Sequence, residues 1–135
     1  MYKRQIKQSI TNSNAKVSTI DIMPTLLDLA GVEIPKGIDG RSFKKQILES
    51  EVSTNEFDIV FSQNQFGRMV RYDQFKYVRS VVYGITYEIL YDIDNDPAES
   101  INLLDDPKFK NQLSKGRKLL NDWLENEGTN LIAER

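Results

Sequence analysis

The alternation of apolar and polar positions divides the chain into three stretches with different periods. From Val17 onward, Ile20, Met23, Leu26, Leu27 and Ala30 recur at helical spacing. Ser18, Thr19 or Asp21 supplies a start signal, Gly31 a stop, and Pro35 bars the helix from resuming. Pro24 falls inside the pattern, which confines it to the first turn or makes it a kink. After a loop over 35–40, Ser42 is placed to N-cap a short helix through Phe43, Ile47 and Leu48.

The period then shortens to two. Runs over 57–62, 68–72, 75–82 and 85–92 are rich in Phe, Tyr, Val and Ile and predict four strands. They are joined by Asn64-Gln65-Phe66-Gly67, Asp73-Gln74 and Tyr83-Gly84, each short enough for a hairpin, so an antiparallel meander is expected. In the fourth run Ile85, Tyr87, Ile89 and Tyr91 alternate with Thr86, Glu88, Leu90 and Asp92, which predicts the first set on a buried face. The third run is apolar on both sides, through Phe75, Tyr77 and Val81 on one and Val78 and Val82 on the other. Asp106 as N-cap and Pro107 at the first helical position open a last helix with the stripe Phe109, Leu113, Leu120, Trp123 and Leu124, interrupted by Gly116.

The fold class expected is α+β: N-terminal helices, a four-stranded antiparallel sheet and a C-terminal helix packed on it. One helix stripe covers one sheet face, so the other face and the 20–30 helix are expected to need a partner. Residues 1–16 form a polar segment carrying Lys3, Arg4, Lys7 and Lys16, with no acid and no signal-peptide core. It reads as a basic tail or as a chain entered midway, with Met1–Gln5 open to being non-native.

Composition narrows the chemistry. With no Cys and no His among 135 residues, thiolate nucleophiles, disulfides, imidazole bases and Cys- or His-based metal sites are excluded. Carboxylates, Ser, Thr, Tyr, Lys and Arg remain. A net charge of −2 gives no global reason to bind nucleic acid, and no apolar run approaches a membrane span. Local motifs are weak. Asp92, Asp94 and Asp96 open like an EF-hand loop, but Pro97 stands at the glycine position and Leu103 at the final glutamate, so a turn with Asp side chains on nearby amides is expected. Gly37-Ile38-Asp39-Gly40-Arg41-Ser42 lacks phosphate-loop spacing, and the Ser-x-x-Lys matches at Ser13 and Ser42 lack their companion motifs. The 92–106 stretch has no basic residue and reads as a solvated loop. Arg68, Arg71, Lys76 and Arg79, with Tyr72 and Tyr77 among them, suggest either an anion- or sugar-binding patch or a charge-protected sheet edge.

Taken in order, these pieces resemble a known family. The 17–31 segment resembles the helix that closes the catalytic domain of sulfatases in the alkaline phosphatase superfamily, and Ile38-Asp39-Gly40-Arg41-Ser42-Phe43 resembles the Asp-Gly-x-Ser-Leu segment after it. Arg68-Met69-Val70-Arg71 with Lys76-Tyr77 is similar to the family's Arg-x-x-Arg and Lys-Tyr strands. Leu90-Tyr91-Asp92-Ile93, Asp96-Pro97-Ala98-Glu99 and Asn102-Leu103 match its Leu-Tyr-Asp-Leu, Asp-Pro-x-Glu, Asn-Leu signature.

The resemblance covers roughly 9–126 and is confined to a sulfatase C-terminal end. It implies last catalytic-domain helices over 17–50 and a C-terminal subdomain over 51–135. It implies a parent that hydrolyses sulfate esters with a formylglycine and a divalent metal, commonly calcium. The nucleophile motif, Cys/Ser-x-Pro-x-x-Arg, is absent here, since Pro24, Pro35, Pro97 and Pro107 have no Cys or Ser two residues before them. This chain is therefore expected to hold no catalytic residue and no metal ligand, and to be inert alone. It would complete the core and form one wall of the substrate pocket, with the parent's catalytic domain as partner and a sulfated small molecule or saccharide as substrate. Arg68 and Arg71 are the residues expected to face that substrate. The family is usually exported. A related phosphodiesterase or phosphonate hydrolase, and a free-standing binding module, are the alternatives.

Overall fold

The computed structural model describes residues 15–48 and 58–126. The polar segment up to residue 14, the first strand's expected start at Phe57 and the boundary expected at 50/51 lie outside the described residues. The chain forms two compact units, Met1–Asp58 and Ile59–Arg135.

In the first unit a 3-10 turn, Thr19–Asp21, leads into α1, Ile22–Ala30. Pro24 sits in the first turn, where it displaces no internal hydrogen bond. Gly31, at φ 73°, closes the helix: its N–H donates to the Asp28 carbonyl and the Val32 N–H to that of Leu27. A five-residue helix α2, Lys44–Leu48, follows. The inward side of α1 is polar. Asp21 and Thr25 are each 2% exposed and Pro24 is buried, whereas Ile20, Met23 and Leu26 are 54%, 51% and 61% exposed.

That polar side is stitched to the 40–44 segment. Asp21 accepts from the Ser18 and Arg41 amides at 2.8 Å each, and the Thr25 hydroxyl donates to the Asp21 carbonyl at 2.6 Å while accepting from the Phe43 amide at 3.1 Å. One turn on, Asp28 accepts from the Ser42 hydroxyl at 2.6 Å and from Lys44 Nζ at 2.7 Å. The Lys44 ammonium, followed by the Ser42 hydroxyl, holds the Asp28 carboxyl below the usual carboxylate range. Gly40 is required by the close crossing, because a Cβ there would meet the Ile20 carbonyl oxygen at 2.1 Å.

The second unit is a meander of β1 (Ile59–Gln63), β2 (Gly67–Tyr72), β3 (Phe75–Val82) and β4 (Ile85–Asp92), every neighbour antiparallel, followed by a 3-10 turn, Pro107–Phe109, and α3, Lys110–Asn126. Two-residue turns at Asp73-Gln74 and Tyr83-Gly84 set the register. Asp73 (φ 45°), Tyr83 (φ 51°) and Gly84 (φ 74°) take the left-handed conformation these tight reversals need. Asp106 caps the last helix by accepting from the Lys108 amide at 2.9 Å.

The core lies between one sheet face and α3. Val70, Tyr72, Phe75, Tyr77 and Leu90 meet Leu113, Leu120 and Leu124, with Phe61 stacked on Trp123 at 5.0 Å between ring centres. Gly116 lets α3 approach: a Cβ there would lie 2.8 Å from the Tyr72 hydroxyl and 2.9 Å from Tyr77 Cβ.

This packing corrects one expectation. The register Tyr77↔Leu90 and Phe75↔Asp92 puts Leu90 and Asp92 on the helix-covered face. Ile85, Tyr87, Ile89 and Tyr91 fall on the open face, where Ile85 is 56% and Tyr87 47% exposed. Helix contact, and not the stronger apolar alternation, decides which side of β4 is buried deepest.

Candidate functional site

The residues shared by the sequence signatures have local tasks that the structure makes explicit. Leaving β4, the chain folds back along that edge strand: the Leu103 amide donates to the Leu90 carbonyl at 2.8 Å, and Asn102 Oδ1 accepts from the Leu90 and Leu104 amides at 3.1 Å each. The edge of β4 is thereby covered. Asp92 is 6% exposed, not solvated as the acidic composition of 92–106 suggests. It accepts from Gln74 Nε2 at 2.8 Å and from Asn95 Nδ2 at 2.9 Å. Burial pushes its carboxyl upward, but the donors from Asn95 and Gln74 outweigh that and leave it below its ordinary value. Asp96 accepts from the Ser100 and Ile101 amides at 2.7 and 2.8 Å, and these donors, the Ile101 amide foremost, also keep it low.

The Asp92 and Asp96 side chains therefore bond N–H groups of this turn, as the sequence suggests. Among the described residues no cluster of three carboxylates is placed to hold a metal ion.

The four basic strand residues do not form one patch. Arg68 stands opposite Arg79 and Arg71 opposite Lys76, and adjacent rows of a strand pair point to opposite sides. Arg68 and Arg79 thus share the α3 side, while Arg71 and Lys76 share the open face. Arg68 Nη1 donates to the Asn64 and Gly67 carbonyls at 2.9 and 3.2 Å, closing its own turn, and Arg79 Nη1 donates to Asn121 at 2.8 Å. Lys76 is paired with Glu99 at 2.6 Å. For Arg71 no partner is found among the described residues; the Nε–H groups of Arg68, Arg71 and Arg79 alike are buried without an acceptor.

A hollow of about 280 Å³ opens at the β1–β2 end, lined by Ser62, Asn64, Phe66, Arg68, Lys76 and Ser80 among others, so Arg68 reaches it and Arg71 does not. Asn64 shapes its rim by accepting from the Phe66 and Gly67 amides at 2.9 Å each, which leaves the Phe66 ring 62% exposed. The sequence shows 64–67 only as a turn. Strand parity, carried through two hairpins, is the signal that brings these side chains together.

On the covered side, Glu88 binds Arg117 through two bonds of 2.8 and 2.5 Å and accepts from the Tyr77 hydroxyl. Arg117 first of all holds the Glu88 carboxyl low, and burial drives the Tyr77 hydroxyl upward. This cluster locks α3 to the sheet and is closed to a ligand by its own pairing.

Comparison with known proteins agrees with the resemblance. The family model described as N-sulphoglucosamine sulphohydrolase, C-terminal, matches residues 1–126. A Delta 4,5-hexuronate-2-O-sulfatase of Bacteroides thetaiotaomicron is 33% identical over 113 residues, covering 78% of this chain and 23% of its own length. An ulvan-active sulfatase of Formosa agariphila is 27% identical over 152 residues, covering 87% of this chain and 30% of its own. The solved structure of a 2-O GAG sulfatase superposes with a TM-score of 0.78 at 31% identity, over 96% of this chain and 30% of that one. The chain thus spans less than a third of each.

Proposed function

The chain belongs to the N-sulphoglucosamine sulphohydrolase C-terminal family, and on that footing we propose that it acts as the C-terminal subdomain of a sulfatase whose parent hydrolyses sulfate esters of a saccharide. The observation that carries this reading is the family match over 1–126, in which Gly40 of the first unit and Asp92, Asp96 and Asn102 of the second each have a structural task. Relatives above 30% identity are sulfatases, which favours that activity over phosphodiester or phosphonate hydrolysis. In this proposal formylglycine and the divalent metal belong to the parent's catalytic domain. That domain is exported with the chain and is its partner.

The role of this chain is then to complete a core and to wall the substrate pocket. Remote binding of that kind raises the rate only when its contacts strengthen toward the transition state. Arg68 and Arg71 remain the proposed substrate-facing residues. Strand parity puts them on opposite faces, and of the two it is Arg68 that reaches the hollow at the β1–β2 end.

The test is reconstitution. The purified chain should show no hydrolysis of an aryl sulfate with or without calcium. A parent sulfatase truncated before the residue equivalent to Ile59 should lose its activity on a sulfated saccharide. Turnover that co-purifies with the isolated chain, or full activity of the truncated parent, would overturn the proposal.

A further inference from the structure

Arg68 of β2 and Arg79 of β3 stand directly opposite one another, and strand parity puts both on the α3 side. Like charges so placed repel, and a counter-charge beside them would offset the cost. Among the described residues there is none. The ion pairs use Asp28, Glu99, Asp73, Glu88 and Asp122, and neither arginine takes part in any of them. Glu88 is next in the same row, across from Arg79, but its two oxygens are taken by Arg117 at 2.8 and 2.5 Å, and one of them also by the Tyr77 hydroxyl. Asp122, beside Asn121 on α3, faces Lys118 at 3.9 Å. The row thus sets the charges of Arg68, Arg79 and Arg117 against a single carboxylate.

Both guanidiniums are held by neutral oxygens. Arg68 Nη1 donates to the Asn64 and Gly67 carbonyls at 2.9 and 3.2 Å, and Arg79 Nη1 donates to Asn121 Oδ1 at 2.8 Å. Each Nε–H is buried without an acceptor, so Nη2 is what each guanidinium has left for a ligand. An arginine fixed by neutral partners keeps its full charge and has already given up side-chain freedom, which lowers the ordering cost an anion meets on binding. Directly opposite residues of a strand pair have Cβ atoms roughly 4.5 to 5.5 Å apart, near enough for one tetrahedral oxyanion to accept from both side chains. The other facing basic pair, Arg71 and Lys76, differs in that Lys76 carries Glu99 at 2.6 Å.

We propose that Arg68 and Arg79 clamp a tetrahedral oxyanion such as sulfate on the α3 side of the sheet, free or carried as an ester. The inference goes beyond the reading of this chain as a substrate wall and does not depend on it. It assigns anion binding to two of the four basic strand residues, the two that face each other with no carboxylate between them.

The experiment is an NMR titration of the full chain at low ionic strength, following backbone amides and the arginine Nε–H signals. The probes are sodium sulfate, sodium chloride at matched ionic strength, a sulfated monosaccharide and its desulfated form. With millimolar sodium sulfate the Arg68 and Arg79 Nε–H signals should shift saturably and together, and sodium chloride should give no such curve. Arg68→Gln and Arg79→Gln should each weaken sulfate binding about tenfold, with Arg79→Lys in between. Lys108→Gln, which removes the same charge from the exposed turn before α3, should leave it unchanged. Urea midpoints taken without sulfate check that the variants fold, and Arg79→Lys carries the test if Arg79→Gln does not. A shift with the sulfated monosaccharide that is missing with its desulfated form shows an ester-borne oxyanion, in line with the substrate-facing role proposed for Arg68. A response to free sulfate alone makes this a site for the free ion, and either result supports the clamp. An equal response to sodium chloride, or an equal loss of binding in Lys108→Gln, would reduce the pair to diffuse charge and overturn the proposal. Sulfate binding unchanged in both Arg68→Gln and Arg79→Gln, or no shift at all, would overturn it too, and would leave the reconstitution test of the subdomain reading untouched.

Discussion

At the scale of single residues, the fold is decided by a few close approaches and carboxylates turned onto backbone. Gly116 is the sharpest case. Alanine in a helix interior is favoured over glycine by about 1 kcal/mol, but here its Cβ would sit 2.8 Å from the Tyr72 hydroxyl and 2.9 Å from Tyr77 Cβ. Overpacking of that kind costs about 1 to 3 kcal/mol, so Gly116→Ala should lower the urea midpoint; an unchanged or higher midpoint would show that α3 can lift away freely. The carboxylates give a pH dependence. Glu88, Asp92 and Asp96 are all held below their ordinary values, 4.5 for Glu and 3.8 for Asp, chiefly by hydrogen-bond donors that favour the charged form. Their stabilisation is therefore complete above those values and is lost as pH falls from them through the lower folded pKa values. Stability measured by denaturant should be flat near neutrality and drop steeply below about pH 4. Replacing Asp92 with Asn should flatten that drop, and an identical acid limb in the variant would place the linkage elsewhere.

At the scale of elements, the sequence is readable wherever the signal is local. The last helix is announced by Asp106-Pro107 and by a stripe whose members do meet the sheet, and the meander follows from connectors of two or three residues. What could not be read is which face of an element meets a neighbour far along the chain. Period-two alternation shows that β4 has two faces. That α3, some twenty residues later, covers the Leu90 side is set by register through Tyr77, and no local count of apolar residues contains it. The same gap explains α1, whose inward side is Asp21, Thr25 and Pro24, because those polar groups bond a loop twenty residues away. It explains the site as well: Arg68 and Arg71 look like a fork in one dimension and are parted by strand parity in three. Turn chemistry leaves one improvement open. Tyr83 sits at φ 51° in a two-residue reversal and is fully exposed, so it contributes no packing to offset a left-handed backbone. Asn is the residue this position favours. Tyr83→Asn should raise stability by roughly 0.5 kcal/mol, seen as a higher urea midpoint at unchanged slope, and a lower midpoint would mean that the ring has a role in holding the hairpin.

At the scale of the whole molecule, each unit shows apolar surface that its own packing leaves open. In the first unit Ile22, Met23 and Leu26 are 49%, 51% and 61% exposed on α1. In the second, the open sheet face and its hairpin present Ile85, Tyr87 and Tyr83 at 56%, 47% and 100%. Scattered apolar residues at a surface are ordinary, whereas contiguous ones beyond roughly 300 to 600 Å² on a monomer mark an interaction site. A chain that matches less than a third of its sulfatase relatives has a natural occupant for such surface in the remainder of a parent enzyme, which is the partner proposed above. Without that partner, the isolated chain should bind a hydrophobic dye and sediment as a concentration-dependent mixture. Leu26→Asp tests the α1 face directly. The residue is exposed, so the change removes apolar surface without opening a core, and it should lower dye binding and self-association while leaving the urea midpoint of the sheet unit in place. A sharp monomer at high concentration with no dye binding in the unaltered chain would instead favour a free-standing module, since a surface that water tolerates at that concentration needs no partner to cover it.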